Sequence, residues 1–128
     1  MELRKLGQNK NKLIDKYDSF GFYISGKKFN GPSLVFYNYA EIIDLEKESL
    51  ISINNIKPLL SANPSIDILI IGHKKGIDYN IPDELENTLK SKKIKVEKMI
   101  TNSACRTYNL LVSENRLVAC ILFPEDQT

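Results

Sequence analysis

With 128 residues the chain has the length of one ordinary domain and is too short for two. Its 42% apolar and 27% charged residues describe a globule with a core, and no apolar run approaches the roughly 20 residues of a membrane-spanning helix. The 18 Lys and Arg side chains against 16 Asp and Glu leave a net charge of +2, too small an excess for a dedicated nucleic-acid binder.

Lys, Ile and Asn together supply about a third of the residues. All three have AT-rich codons, so genome bias accounts for the lysine count without an anionic partner. The segment from Met1 to Gly7 is basic but lacks the apolar stretch of a secretory signal. It is also too short and too poor in Ser and Arg for a mitochondrial presequence. A bacterial cytoplasmic protein without stable membrane insertion is the expectation. Cys105 and Cys120 are the only cysteines, and without a secretory signal both are expected to stay reduced. His73 is the only histidine, so no Cys/His zinc cluster can form, and neither a metal nor a cofactor is expected.

Residues 1–13 are polar, basic and aperiodic, which predicts a mobile arm ahead of a single domain over 14–128. Phe20 to Ile24, followed by the turn residues Ser25-Gly26-Lys27-Lys28, predicts a hairpin. Gly31-Pro32 breaks the chain before a strand over Ser33 to Tyr37, and a shorter one follows near Ile42. Asn54 or Asn55 is the expected cap of a short helix over Ile56 to Ser61, with Pro58 tolerated in its first turn. Ile66 to Ile71 is a buried strand by its length and β-branching, and Gly72 is its expected end.

Pro82-Asp83-Glu84 opens a helix with early carboxylates, and Lys90, Lys92 and Lys93 lie near its end, matching the helix dipole. Ile94 to Met99 alternates as a strand. Ala104, Tyr108, Leu111 and Val112 share one face of a helix over Ser103 to Ser113, with Thr101 or Asn102 as its cap. Arg116 to Phe123 is apolar enough for a central strand. The order is a β-rich N-terminal part, then strand–helix–strand–helix–strand. That pattern predicts one α/β domain with a mixed β-sheet and helices against it, and a parallel step from Ile66 to Met99.

The stretch Thr101-Asn102-Ser103-Ala104-Cys105-Arg106-Thr107-Tyr108-Asn109-Leu110-Leu111 resembles the signature of the Mth-type domain family. Gly21-Phe22-Tyr23-Ile24 with Gly31-Pro32, Ile68 to Gly72, and Ile94 to Met99 fall in the same order. The resemblance covers nearly everything after Tyr17 and implies a three-layer α/β domain with a mixed sheet. Family members often read Gly-Thr-Gly after the central strand, where this chain has Gly72-His73-Lys74-Lys75-Gly76. Animal members include adipogenesis-associated proteins and mitochondrial complex I assembly factor 3. The resemblance therefore implies a non-catalytic interaction protein that assists respiratory complex assembly, with complex I subunits as partners.

Ligands of open α/β sheets settle beyond the carboxyl ends of parallel strands. Two such ends are expected side by side, gathering Gly72, His73, Lys74, Lys75, Asn102, Ser103, Cys105 and Arg106 around a helix N-terminus receptive to an anion. The alternative is an ordinary solvated turn. Cys105 in a first helical turn could serve as a nucleophile with His73 as base and Asn102 orienting; its apolar neighbours favour a packed thiol. Arg106 and Asn109 lie one turn apart and form a polar patch for a partner, together with the aromatic hairpin around Phe22. The opposing reading is that Arg106 clasps a local carboxylate and Asn109 ties down a loop. Lys90, Lys92, Lys93, Lys95 and Lys98 read as a solvated face rather than an RNA patch, since no aromatics interleave them.

Overall fold

Alternation along three strands decides the architecture. In β4 (Ser33–Phe36), β6 (Ile68–His73) and β8 (Val118–Leu122), consecutive residues point to opposite faces, and both faces are buried. Leu34, Phe36, Leu69, Ile71, Ala119 and Ile121 face one cluster, completed by Ile51, Ile56, Leu59, Leu85 and Leu89. Val35, Ile70, Val118, Cys120 and Leu122 face a second, completed by Ala104, Cys105, Tyr108 and Val112. A sheet apolar on both faces must be covered on both, and three layers result. The computed structural model describes residues 11–45 and 50–125, so residues 1–10 of the expected arm lie outside the described residues.

The central sheet has five strands in the order β5-β4-β8-β6-β7, with β5 at Tyr39–Ile42 and β7 at Lys95–Ile100. β6 pairs parallel with both β7 and β8, while β4 pairs antiparallel with β5 and β8. The sheet is mixed, and the step from β6 to β7 is parallel, as the pattern implied. One outer layer holds a 3-10 turn (Asn54–Ile56), the short helix α1 (Lys57–Leu60) and α2 (Asp83–Ser91). The other holds α3 (Thr101–Ser113) and a three-stranded antiparallel ribbon of β1 (Ile14–Tyr17), β2 (Gly21–Ile24) and β3 (Lys27–Asn30). The ribbon packs Ile14, Phe22 and Ile24 beside α3, so the first three strands form their own sheet instead of extending the central one.

Local signals account for most boundaries. Asp83, Glu84 and Glu86 occupy the first turn of α2, and its buried face is Leu85 and Leu89. Neither Asn54 nor Asn55 caps a helix: Ser52 N–H donates to Asn55 Oδ1 at 2.9 Å, and Asn55 N–H donates to Ser52 Oγ at 3.4 Å. Helix α3 likewise starts without a side-chain cap. Ile100, extended at φ −67° and ψ 155°, stands at the cap position, and Thr101 is already helical. The strand β6 runs one residue past Gly72, to His73.

Candidate functional site

The carboxyl ends of β6, β7 and β8 meet at Thr101. Its buried hydroxyl donates to the Phe123 carbonyl at 2.6 Å, and the His73 carbonyl lies 3.1 Å from the same oxygen. Phe123 N–H donates in turn to the Gly72 carbonyl at 2.8 Å. Thr101 therefore ties the strand ends together instead of capping its own helix, which sequence reading missed because a threonine before a helix ordinarily signals a cap. We expect Thr101→Val, which keeps shape and removes the donor, to destabilise the fold by about 2 kcal/mol in urea denaturation.

Above this junction lies a shallow depression of about 190 Å³, lined by Tyr17, Asp18, Lys75, Ile100, Thr101, Asn102 and Glu125. The loop after β6 and the start of α3 are thus neighbours, contributing Lys75, Thr101 and Asn102 to the same lining. His73 turns back on its own backbone, its Nδ1 lying 3.0 Å from the Lys74 carbonyl. Asn102 Oδ1 is buried without a hydrogen-bond partner among the described residues. Tyr17, Asp18 and Glu125 were not foreseen, since they arrive from β1 and the chain after β8 and no local pattern connects them. Asp18 and Glu125 add carboxylates to a lining that also holds Lys75. Asp18 is already engaged: the Lys28 ammonium at 2.6 Å and the amides of Phe20 and Gly21 hold its carboxyl below the usual range.

Cys105 does not reach this depression. It is 3% exposed in the cluster under α3, and burial pushes its thiol from 9.0 up to about 12. Cys120, on the facing strand, is fully buried and shifted upward for the same reason. A thiol held neutral is a poor nucleophile at physiological pH. Iodoacetamide should therefore label the folded protein slowly at neutral pH, and rapid labelling would refute the packed-thiol assignment. Above pH 9 the unfolded thiol ionises while the folded one keeps its proton until about 12, so folding stability falls as pH rises through that window.

The remaining candidates separate by depth. Phe22 is completely buried, because β2 turns it inward against α3; it is core and cannot contact a partner, which corrects the reading of the hairpin. Phe20, at the tip between β1 and β2, is the exposed member at 53%. Asn109 grips the edge of β1: Ile14 N–H donates to Oδ1 at 3.0 Å and Nδ2 donates to the Ile14 carbonyl at 2.8 Å. Tyr108, beside it, is buried and donates to the Lys12 carbonyl at 2.9 Å. Arg106 is exposed on the outer face of α3, and among the described residues its Nη2 meets Ser103 Oγ, at 3.5 Å. Among the described residues no group of His, Cys, Asp and Glu is placed to hold a metal ion.

The family described as "Protein of unknown function (DUF498/DUF598)" matches residues 14–123, nearly all of the described chain. The chain belongs to the DUF498/DUF598 family. The chain is 35% identical over 118 residues to a Xenopus tropicalis relative, NADH dehydrogenase (ubiquinone) 1 alpha subcomplex assembly factor 3, with 88% of this chain and 61% of the relative covered. Relatives of the same name in Drosophila melanogaster and Danio rerio are 34% and 32% identical. The chain spans about three fifths of the length of these relatives, at 61%, 58% and 64%.

Solved structures of the same architecture include an outer membrane protein from Bartonella henselae. It superposes with a TM-score of 0.76 at 30% identity, covering 89% of this chain and 95% of that one. A Mth938-like domain from Bordetella pertussis superposes at 0.78 with 16% identity, over 100% of this chain and 95% of that domain. The DUF498/DUF598 chain thus has the Mth938-like fold that the motif around Ala104 to Asn109 implied. Among the described residues no helix is long and apolar enough to cross a membrane.

Proposed function

We propose that this chain is a non-catalytic interaction protein that assists the assembly of respiratory complex I, working through complex I subunits on the cytoplasmic side of a bacterial membrane. The observation that carries this reading is the similarity to relatives named as complex I assembly factor 3, sustained over 88% of the chain. Site chemistry supports it. The candidate nucleophile is buried with its thiol held neutral and lies outside the depression, whose lining carries Lys75 and two carboxylates, one of them already bonded to Lys28. The exposed surface, with Phe20, Tyr17, Leu110 and Arg106, offers contacts of the kind partner surfaces use.

The test is genetic. In a bacterium that has complex I, deletion of the gene should lower assembled complex and its NADH oxidation on native gels, and the wild-type gene should restore both. Unchanged complex I in the deletion strain would remove the assembly role.

A further inference from the structure

Four of the six residues from Lys90 to Lys95 are lysines, placed where α2 turns into the edge strand β7. Every residue from Lys90 to Lys93 is exposed. Lys90, Lys92 and Lys93 have no carboxylate within 4.0 Å among the described residues. Lys95 shares an exposed pair with Glu97 at 3.3 Å, and Glu86, one turn before Lys90, is exposed and unpaired with it. A codon bias toward lysine explains how many lysines the chain has; it does not explain three within four residues at one corner, none with a carboxylate partner among the described residues.

The backbone adds a second, independent observation. Helix α2 closes with Ile94 N–H donating to the Leu89 carbonyl and Lys93 N–H to the Lys90 carbonyl, both at 2.9 Å. That closure puts the residue after the helix in the left-handed region, where glycine is the ordinary occupant. Here it is Lys93, at φ 62°. At the end of α3 the equivalent position, also at φ 62°, is Asn115, a residue that tolerates it. A strained exposed lysine with no packing role points to use of its charge.

We propose that this corner, Lys90, Lys92, Lys93 and Lys95, is a peripheral docking site for an anionic lipid surface. Charge complementarity selects an anion, and the form of the site selects a membrane. Protein interfaces are built around aromatic or Arg anchors and are poor in Lys at their centres, and this corner has no such anchor. Single-stranded nucleic acid requires a basic groove with aromatic platforms, which are likewise missing here. A plane of phosphate headgroups needs only exposed ammonium groups close together, each adding an increment of attraction. The site goes beyond the assembly reading and does not depend on it.

Flotation of the full chain with phosphatidylcholine vesicles containing phosphatidylglycerol tests it. The protein should float with these vesicles at low salt, detach as salt is raised, and remain behind with pure phosphatidylcholine. The Lys90→Gln, Lys92→Gln, Lys93→Gln variant, with unchanged circular dichroism, should partition on the order of a hundredfold more weakly. The Lys→Arg triple variant should partition as wild type. Failure to float at low salt, equal flotation of the Gln variant, or binding to neutral vesicles would overturn the proposal. So would tighter retention of a single-stranded RNA oligonucleotide through the same lysines, which would assign the corner to nucleic acid.

Discussion

Replacing Gly72 by alanine is expected to destabilise the protein by about 3 kcal/mol and lower its melting temperature by about 10 °C. Gly72 lies in β6, under the first turn of α3, with no room left for a side chain between them. A Cβ built there would come within 2.7 Å of Ala104 Cβ, 3.0 Å of Leu122 Cδ2 and 3.2 Å of the Thr101 Cα. Two of those neighbours cannot rotate away, since one is an alanine methyl and the other is backbone. The helix would have to lift off the sheet, breaking the Thr101 junction with the Phe123 and His73 carbonyls.

A control separates this steric role from conformational freedom. Gly76 sits at φ +80° with nothing near its absent side chain, so Gly76→Ala should cost only the left-handed backbone penalty, about 1 kcal/mol. Ala104→Gly in the Gly72→Ala background should recover part of the loss, because it removes the shortest contact. Equal stability of Gly72→Ala and wild type, by thermal melting and urea titration, would show that α3 does not sit this close to β6.

The same position shows how far the sequence could be read. A glycine after four apolar residues is an ordinary end-of-strand signal, and the expected site was built on a loop beginning there. What Gly72 answers to is a helix starting 29 residues later, and a close approach between distant segments leaves no local pattern. Elements with their own periodicity were legible: Leu85 and Leu89 in α2, Ala104, Tyr108 and Val112 in α3, and the β-branched run of β6 all project their buried faces in one dimension. β1 was not legible. Ile-Asp-Lys-Tyr has a single buried residue, Ile14, and its pairing is completed from α3. The depression suffered the same way, since Lys75 and Asn102 follow from strand ends but Tyr17, Asp18 and Glu125 do not. Depth was the other quantity out of reach. Phe22 and Phe20 belong to one aromatic run, yet the two-residue period of β2 and the turn before it bury the first completely and leave the second 53% exposed.

Depth also decides between Arg106 and Asn109, which lie one helical turn apart. Asn109→Ala is expected to cost about 2 kcal/mol, and Arg106→Ala less than about 0.5 kcal/mol. The Asn109 amide oxygen accepts from the Ile14 N–H at 3.0 Å, and one of its two N–H groups donates to the Ile14 carbonyl at 2.8 Å. It acts as a neighbouring strand would, satisfying the outward N–H and C=O of β1 and closing that edge of the ribbon. Alanine leaves both groups facing apolar neighbours with only partial access to water. Arg106 loses nothing comparable, since its hydrogen bond among the described residues is the long approach to Ser103 Oγ at 3.5 Å. Urea denaturation of the two single variants measures the difference, and hydrogen exchange at the Ile14 amide should accelerate in Asn109→Ala alone. If Asn109→Ala unfolds at the wild-type urea concentration with Ile14 still protected, the side chain is not what holds β1. The distinction bears on complementation of a deletion strain. Loss of complex I with Asn109→Ala is expected to track loss of folded protein, whereas loss with Arg106→Ala at unchanged protein level would locate the partner on the exposed face of α3.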